Sequence, residues 1–172
     1  MALCSFLLMN LPLAKSTDIN PKRMVAELEK IETSPGQTIE SAAEEFVLKS
    51  MEASVPPENY LDAAEPVKSL KKAVDTLAEA AGLPEEDRKI LTLAAAFHNV
   101  GSQSAKGKKA VLAESQRIAE DFLTSQGVKK QTIETVKRLI AAQESGHEPA
   151  DLLEKCFLDA CFTAYGSVHF PV

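Results

Sequence analysis

The sequence predicts an all-α fold, a single helical domain of about seven helices around a buried central helix. Only 7 Gly and 9 Pro occur among the 172 residues, so few positions favour turns. Ala and Leu are abundant and runs of β-branched residues are scarce, which favours helices over strands. Hydrophobic residues make up 45% of the chain, so a core can form without metal or disulfides. We expect an N-terminal segment and helix over residues 1–37 and the helical domain over residues 38–172.

Runs of apolar residues spaced three and four positions apart predict the first three helices, and Pro and Gly residues separate one run from the next. They are predicted over residues 20–34, 38–55 and 63–81. Asn20 suits the N-cap of the first helix, and Pro56 and Pro57 end the second. Gly82 follows the third helix and supplies its C-terminal cap.

The fourth helix is the predicted centre of the domain. It begins at Pro84, and the acidic residues 85–87 suit the positive N-terminal end of its dipole. Residues 90–97 are apolar on every side, which is typical of a helix buried among others. A polar, basic loop follows over residues 102–109. Three helices are predicted after the loop. The first covers residues 110–125 and stops at Gly127, the second carries the apolar residues between 133 and 140, and the last covers residues 150–165 with Leu152 on its buried side.

The charge and the cysteine count exclude some classes of function. Lys and Arg number 19 and Asp and Glu 25, which gives a net charge of −6. A chain this acidic is not expected to bind nucleic-acid polymers through their phosphates. With three cysteines and no CxxC pair, neither a disulfide framework nor a zinc knuckle is expected, and we predict a cytoplasmic protein.

The apolar residues 1–9 have two interpretations. No Lys or Arg precedes them, Pro12 interrupts the apolar run, and the run is too short to span a bilayer. We therefore expect a segment docked on the domain or an oligomer contact, and no membrane span. The alternative is the hydrophobic region of a signal peptide.

His98 is the leading candidate for a functional side chain. The chain has three histidines, and His98 stands at the end of the most buried helix. Residues 93–101 around it resemble the central His-Asp segment of the HD superfamily, the all-helical metal-dependent phosphohydrolases. Three further parts of that fold are matched in order by residues 43–60, 114–119 and 157–161. The resemblance covers residues 43–166 and implies an HD-like helical bundle that hydrolyses phosphate esters with a divalent metal.

The resemblance implies four metal ligands, and this chain keeps two of them. His98 matches the second ligand and Asp159 the fourth, whereas Asn99 replaces the aspartate that is the third. No histidine occurs at the first position, where the chain offers Glu65. An amide in place of a bridging carboxylate removes a negative charge and an oxygen that can bind two metal ions. We therefore expect no cofactor, and the alternative is a rearranged site for Mn, Mg or Fe that uses all four residues.

Lys106, Lys108 and Lys109 occupy the loop in which HD members with a second metal have histidines. Ammonium groups repel a cation, but they can hold a phosphate group in its place. We predict a phosphate-binding role for these lysines, and the alternative is a solvated loop without function.

Each of the other candidates also has a structural explanation. His98 can be a buried histidine at a helix C-terminus, and Asn99 together with Gly101 can simply end the helix. Asp159 lies at the margin of an apolar stripe, so its burial would require a partner such as His98. The two cysteines of the last helix are expected to be core residues.

Two functions follow from this set of residues. The first is an HD-like domain that is catalytically silent or impaired and retains a pocket for a phosphorylated small molecule, a nucleotide or a protein partner. The second is an active metal-dependent phosphohydrolase or phosphodiesterase with a rearranged single-metal site. The incomplete ligand set favours the first. A purely structural helical module is the third interpretation.

Overall fold

The chain forms a bundle of helices. A computed structural model describes residues 36–54 and 59–165, and for residues 60–63 and 165 it describes the backbone alone. Within these ranges there is no strand, which confirms the predicted all-α fold. The first predicted helix and the apolar N-terminal segment lie outside the described residues. The six described helices are α1 (Ile39–Ser54), α2 (Tyr60–Ala80), α3 (Glu85–Phe97), α4 (Lys108–Ser125), α5 (Lys130–Ala141) and α6 (Leu152–Tyr165).

Two helices end where glycines were predicted to end them. Gly82 follows α2 with a φ of +64°, and Gly127 follows α4 with a φ of +70°. After α2, the Gly82 N–H donates to the Glu79 carbonyl and the Leu83 N–H to the Ala78 carbonyl, both at 3.0 Å. The same pair of hydrogen bonds recurs after α4. Glycine adopts this left-handed backbone without steric cost, so both helix ends are set locally.

Helix α3 contacts each of the other five described helices. Its second half is buried, and Ala94 and Ala95 have no exposed surface. Their small side chains let neighbouring helices approach closely. Phe97 packs with Phe46 of α1 and Phe122 of α4, with ring centroids 6.1 and 5.5 Å away. The most extensive packing between other helices joins α6 to α2 and α5 to α4. None of the described helices has the length and apolar character needed to cross a membrane.

A short 3₁₀ helix, Val100–Gln103, joins α3 to α4, and it depends on Gly101. The Gly101 N–H donates to the Ser115 hydroxyl of α4 at 2.9 Å. A Cβ atom at Gly101 would lie 2.4 Å from the Val111 carbonyl oxygen and 2.7 Å from the Ser115 nitrogen. Glycine is therefore needed here because α4 passes so closely.

The predicted orientation of α6 is wrong in its first turn. Leu152, expected on the buried side, is 56% exposed, whereas Glu154 is 1% exposed. Leu152 is the first residue of α6 and faces solvent. Glu154 takes the inward position because hydrogen bonds and an arginine stabilise its charge there.

Candidate functional site

His98 is buried directly after the last residue of α3, with 4% of its surface exposed. Its Nδ1–H donates to the Ala95 carbonyl oxygen at 2.8 Å, one turn back along the same helix. Burial lowers the pKa of His98 to about 4, because desolvation of the charged ring outweighs the hydrogen bond to Ala95. The ring is therefore neutral at pH 7, and its second nitrogen, Nε2, acts as an acceptor.

Asn99 lies beside His98 in sequence but in a different environment. It is exposed and forms the N-cap of the 3₁₀ helix. The carbonyl oxygen of Asn99 accepts hydrogen bonds from the Ser102 N–H at 3.0 Å and the Ser102 hydroxyl at 2.8 Å. The backbone of Asn99 thus helps to turn the chain from α3 towards α4.

The two candidate carboxylates are held on the surfaces of their own helices. Asp159 is 53% exposed at its side chain and pairs with Lys155 of α6, with 2.6 Å between Nζ and Oδ2. Its exposure removes the reason for the expected buried pair with His98. Glu65 is also exposed, and it accepts a hydrogen bond from the Ser69 hydroxyl at 3.4 Å. Among the described residues, no group of three or more His, Cys, Asp and Glu side chains could hold a metal ion.

The three predicted phosphate-binding lysines are exposed around the start of α4. Lys106 precedes the N-cap residue Gly107, and Lys108 and Lys109 are the first two residues of the helix. No acidic residue stands in this first turn. The Lys108 ammonium group also donates to the Ser145 hydroxyl at 3.3 Å, which brings the α5–α6 connection next to the start of α4. Positive side chains and the positive end of the helix dipole thus coincide.

A buried polar cluster joins α1 to the 3₁₀ helix. The hydroxyl oxygens of Ser50 and Ser54 lie 2.7 and 2.9 Å from the Gln103 Oε1 position. Ser54 has one hydroxyl hydrogen, which it gives to the Ser50 carbonyl at 2.6 Å, so it cannot also donate to Gln103. We therefore assign the Gln103 amide with its nitrogen towards the serines, where it donates to both hydroxyls and its buried N–H groups are satisfied.

The most strongly built polar cluster surrounds Glu154. Its carboxylate accepts hydrogen bonds from Arg138 of α5 at 2.5 Å and from His147 and the Ala150 N–H at 2.8 Å each. Asp151 binds Arg138 at 2.8 Å, and its other carboxylate oxygen accepts the Glu154 N–H at 2.8 Å. The pKa of Glu154 is lowered to about 2. The hydrogen bond from the Ala150 N–H contributes most, followed by the hydrogen bond from His147, and Arg138 lowers the pKa further, whereas burial raises it.

The sequence interpretation did not include the Glu154 cluster. A local signal for it exists, because an acidic N-cap at Asp151 followed three residues later by Glu154 is the pattern of a capping box. The usual capping box places the glutamate on the N-cap N–H, whereas here Glu154 binds the N–H of Ala150, one residue earlier.

No family model, curated protein or solved structure matches this chain. The resemblance to the HD superfamily therefore rests on the sequence segments over residues 43–166 alone.

Proposed function

We propose that this chain is an HD-like helical domain without hydrolase activity that binds a phosphorylated small molecule or nucleotide at the basic start of α4. The absence of hydrolase activity is supported by the separation of the candidate metal ligands. His98 is buried and bonded to its own helix, whereas Asp159 and Glu65 are exposed on the surfaces of α6 and α2. Hydrolysis of a phosphate ester by the HD mechanism needs a metal ion that activates water, and Asp159 and Glu65, exposed on their own helices, do not supply ligands beside His98.

The proposed phosphate binding depends on the positive charge at the N-terminal end of α4. The first turn of an α-helix has backbone N–H groups without helical partners, and the dipole makes this end positive. Lys106, Lys108 and Lys109 add three exposed ammonium groups there, without a competing carboxylate in the first turn. A phosphate group matches both the charge and the hydrogen-bonding groups of such a surface.

The test is a binding titration with pyrophosphate and a nucleoside triphosphate. Replacing Lys106, Lys108 and Lys109 together by Ala is expected to weaken binding roughly tenfold or more, since each lost phosphate contact removes charge attraction. Stability should not fall, because all three side chains are exposed, and loss of positive charge at the positive end of α4 should raise it slightly. The matched control replaces three other exposed lysines, Lys68, Lys129 and Lys130.

The control separates a site from general charge attraction. Lys129 and Lys130 also stand at the start of a helix, α5, and the control removes the same total charge. An equal loss of affinity in both triple variants would contradict a site at α4. Equal binding by wild type and the α4 variant would remove the phosphate role altogether.

The metal-dependent hydrolase remains the alternative enzyme hypothesis, and metal content tests it. Purified protein and an apo-refolded control are expected to contain no stoichiometric Mn, Mg or Fe and to leave a generic phosphodiester intact. Asn99→Asp restores the carboxylate that the HD resemblance implies, and we expect no metal binding by this variant either. Stoichiometric metal together with hydrolysis by the wild type would overturn the silent domain.

Binding of a protein partner is the second candidate function, and exposed apolar side chains favour it. On α6, Phe162 is 75% exposed and Leu152 is 56% exposed. Contact with a second copy of the chain predicts a mass that rises with concentration in sedimentation equilibrium, and Phe162→Asp should abolish the rise. A monomeric wild type at every concentration would contradict self-association.

A further inference from the structure

The segment that joins α5 to α6, residues 142–151, has few apolar attachments, and we call it the strap. Residues 144–151 are all exposed, and Ala142 is the buried residue at its start. The backbone hydrogen bonds within it are local turns, such as the one from the His147 N–H to the Glu144 carbonyl at 3.2 Å. A segment that buries little apolar surface has a low free energy of local opening.

The hydrogen bonds that attach the strap to the helices converge mainly on one carboxylate at the start of α6. Glu154 binds the His147 side chain and the Ala150 N–H, and Arg138 joins the same carboxylate to Asp151 at the end of the strap. Outside this cluster, Gln143 donates to the Ile140 carbonyl at the end of α5, and Ser145 accepts an exposed 3.3 Å hydrogen bond from Lys108. Hydrogen bonds to a nearly fully buried anion contribute more than an exposed hydrogen bond from an ammonium group to a hydroxyl, because water screens the exposed one and competes with it.

We propose that the strap is a separately opening segment that the Glu154 carboxylate latches, so that it detaches as a unit while the helical core remains folded. An open strap separates the Arg138 guanidinium from Asp151, leaves its bond to Glu154 within the helical core, and moves Ser145 away from Lys108. The proposal does not rest on phosphate binding, because the latch is the Glu154 carboxylate, and the exposed hydrogen bond from Lys108 to Ser145 lies outside it.

Glu154→Gln tests the latch because it removes the charge and keeps the size of the side chain. Amide hydrogen exchange is measured residue by residue by NMR in the full chain. Exchange at His147 and Ala150 is expected to accelerate about tenfold or more, equivalent to about 1.4 kcal/mol of opening free energy. Amides of the buried half of α3, such as Leu93 and Phe97, are expected to keep their rates.

Glu134→Gln is the matched control, since Glu134 is a half-exposed carboxylate on α5 that pairs with Lys137. This control should leave exchange in the strap unchanged. A glutamyl endopeptidase gives a second readout, because Glu144 and Glu148 lie within the strap. Cleavage there should be faster in Glu154→Gln than in Glu134→Gln, as it follows the population of the open form.

Three outcomes overturn the proposal. Equal acceleration of strap and α3 amides would make Glu154 part of the single folding unit rather than a latch, and unchanged strap exchange would show that the carboxylate does not hold it. If Glu154→Gln does not fold, His147→Ala replaces it, because it removes one donor from a side chain that is 35% exposed. Faster exchange confined to the strap is then expected, and global acceleration would be the third contrary outcome.

Discussion

Burial of one imidazole makes the stability of this protein depend on pH. The pKa of His98 is about 4 in the folded protein, against 6.5 for the exposed side chain. Between these values the unfolded chain binds a proton that the folded protein does not, so stability is complete above pH 6.5 and falls as the pH decreases towards 4. The loss attributable to His98 amounts to about 3 kcal/mol, because one pKa unit corresponds to about 1.4 kcal/mol.

Urea unfolding of wild type and His98→Gln at pH 7, 5.5 and 4 measures this contribution. The variant is expected to be less stable at pH 7 and to lose about 3 kcal/mol less on acidification, because it has no imidazole to protonate. Parallel pH profiles for the two proteins would contradict the buried neutral ring.

Gly101→Ala is predicted to be among the most damaging single-methyl additions to the described residues. The new Cβ would meet the Val111 carbonyl oxygen at 2.4 Å, so α4 or the 3₁₀ helix must move. We expect a loss of about 3 kcal/mol, the upper end for overpacked sites. Gly82→Ala is the control, because its φ of +64° costs about 1 kcal/mol while no atom stands within 4 Å of its Cβ. Equal losses in denaturant unfolding would contradict the importance of close packing.

The residues of the candidate site differ in how well the sequence predicts them. The sequence identifies His98 as a candidate functional residue because it follows directly after the apolar residues 90–97, a pattern that lies within one segment of the chain. The exposure of Asp159 is consistent with a pattern in the sequence, because Lys155 stands four residues earlier on the same helix and pairs with Asp159 at the surface. The capping-box pattern of Asp151 and Glu154 marks the start of α6 but does not predict that Glu154 is buried, because this depends on Arg138 and His147, which lie outside α6.

At the level of single elements, α4 begins against the preference of its own dipole. Lys108 and Lys109 place positive charge at the positive end of the helix. Lys109→Glu is therefore predicted to stabilise the protein by about 0.3–1 kcal/mol, and Lys109→Gln by less. Thermal unfolding at low ionic strength measures the change. The proposed function adds that Lys109→Glu weakens pyrophosphate binding, and a glutamate variant that is less stable than the wild type would contradict the dipole argument.

The sequence predicts a helix end well where a neighbouring residue determines it, and poorly where packing against other helices determines it. Gly82 and Gly127 end α2 and α4 as expected, because the left-handed backbone is a property of glycine itself. The start of α2 at Tyr60 is earlier than the predicted position 63, and the helix includes Pro66. Packing of α2 against α6 and α3 supports its position in the bundle, and this is information that the helical period does not contain.

At the scale of the whole molecule, the described helices share one continuous apolar core. Buried residues from all six described helices belong to one cluster, which includes the Phe46, Phe97 and Phe122 rings. We therefore predict a cooperative helical unfolding transition in EDTA, with the same Tm after addition of Mn²⁺ or Mg²⁺. Circular dichroism during heating tests this. A clear rise in Tm with either metal would mean that the native state binds it, and would favour the hydrolase.

The packing of α6 against α2 sets an order of events during synthesis. About 70 residues separate the end of α2 from the start of α6, and a ribosome adds roughly 5–20 residues per second. The nascent chain therefore carries α2 for several seconds before the helix that covers one of its faces has been made. During that interval Val67, Leu70 and Val74, all buried in the finished fold, are shielded only by the helices made before α6. A stop codon just before α6 should yield a product that chaperones retain, whereas the full chain should be released folded.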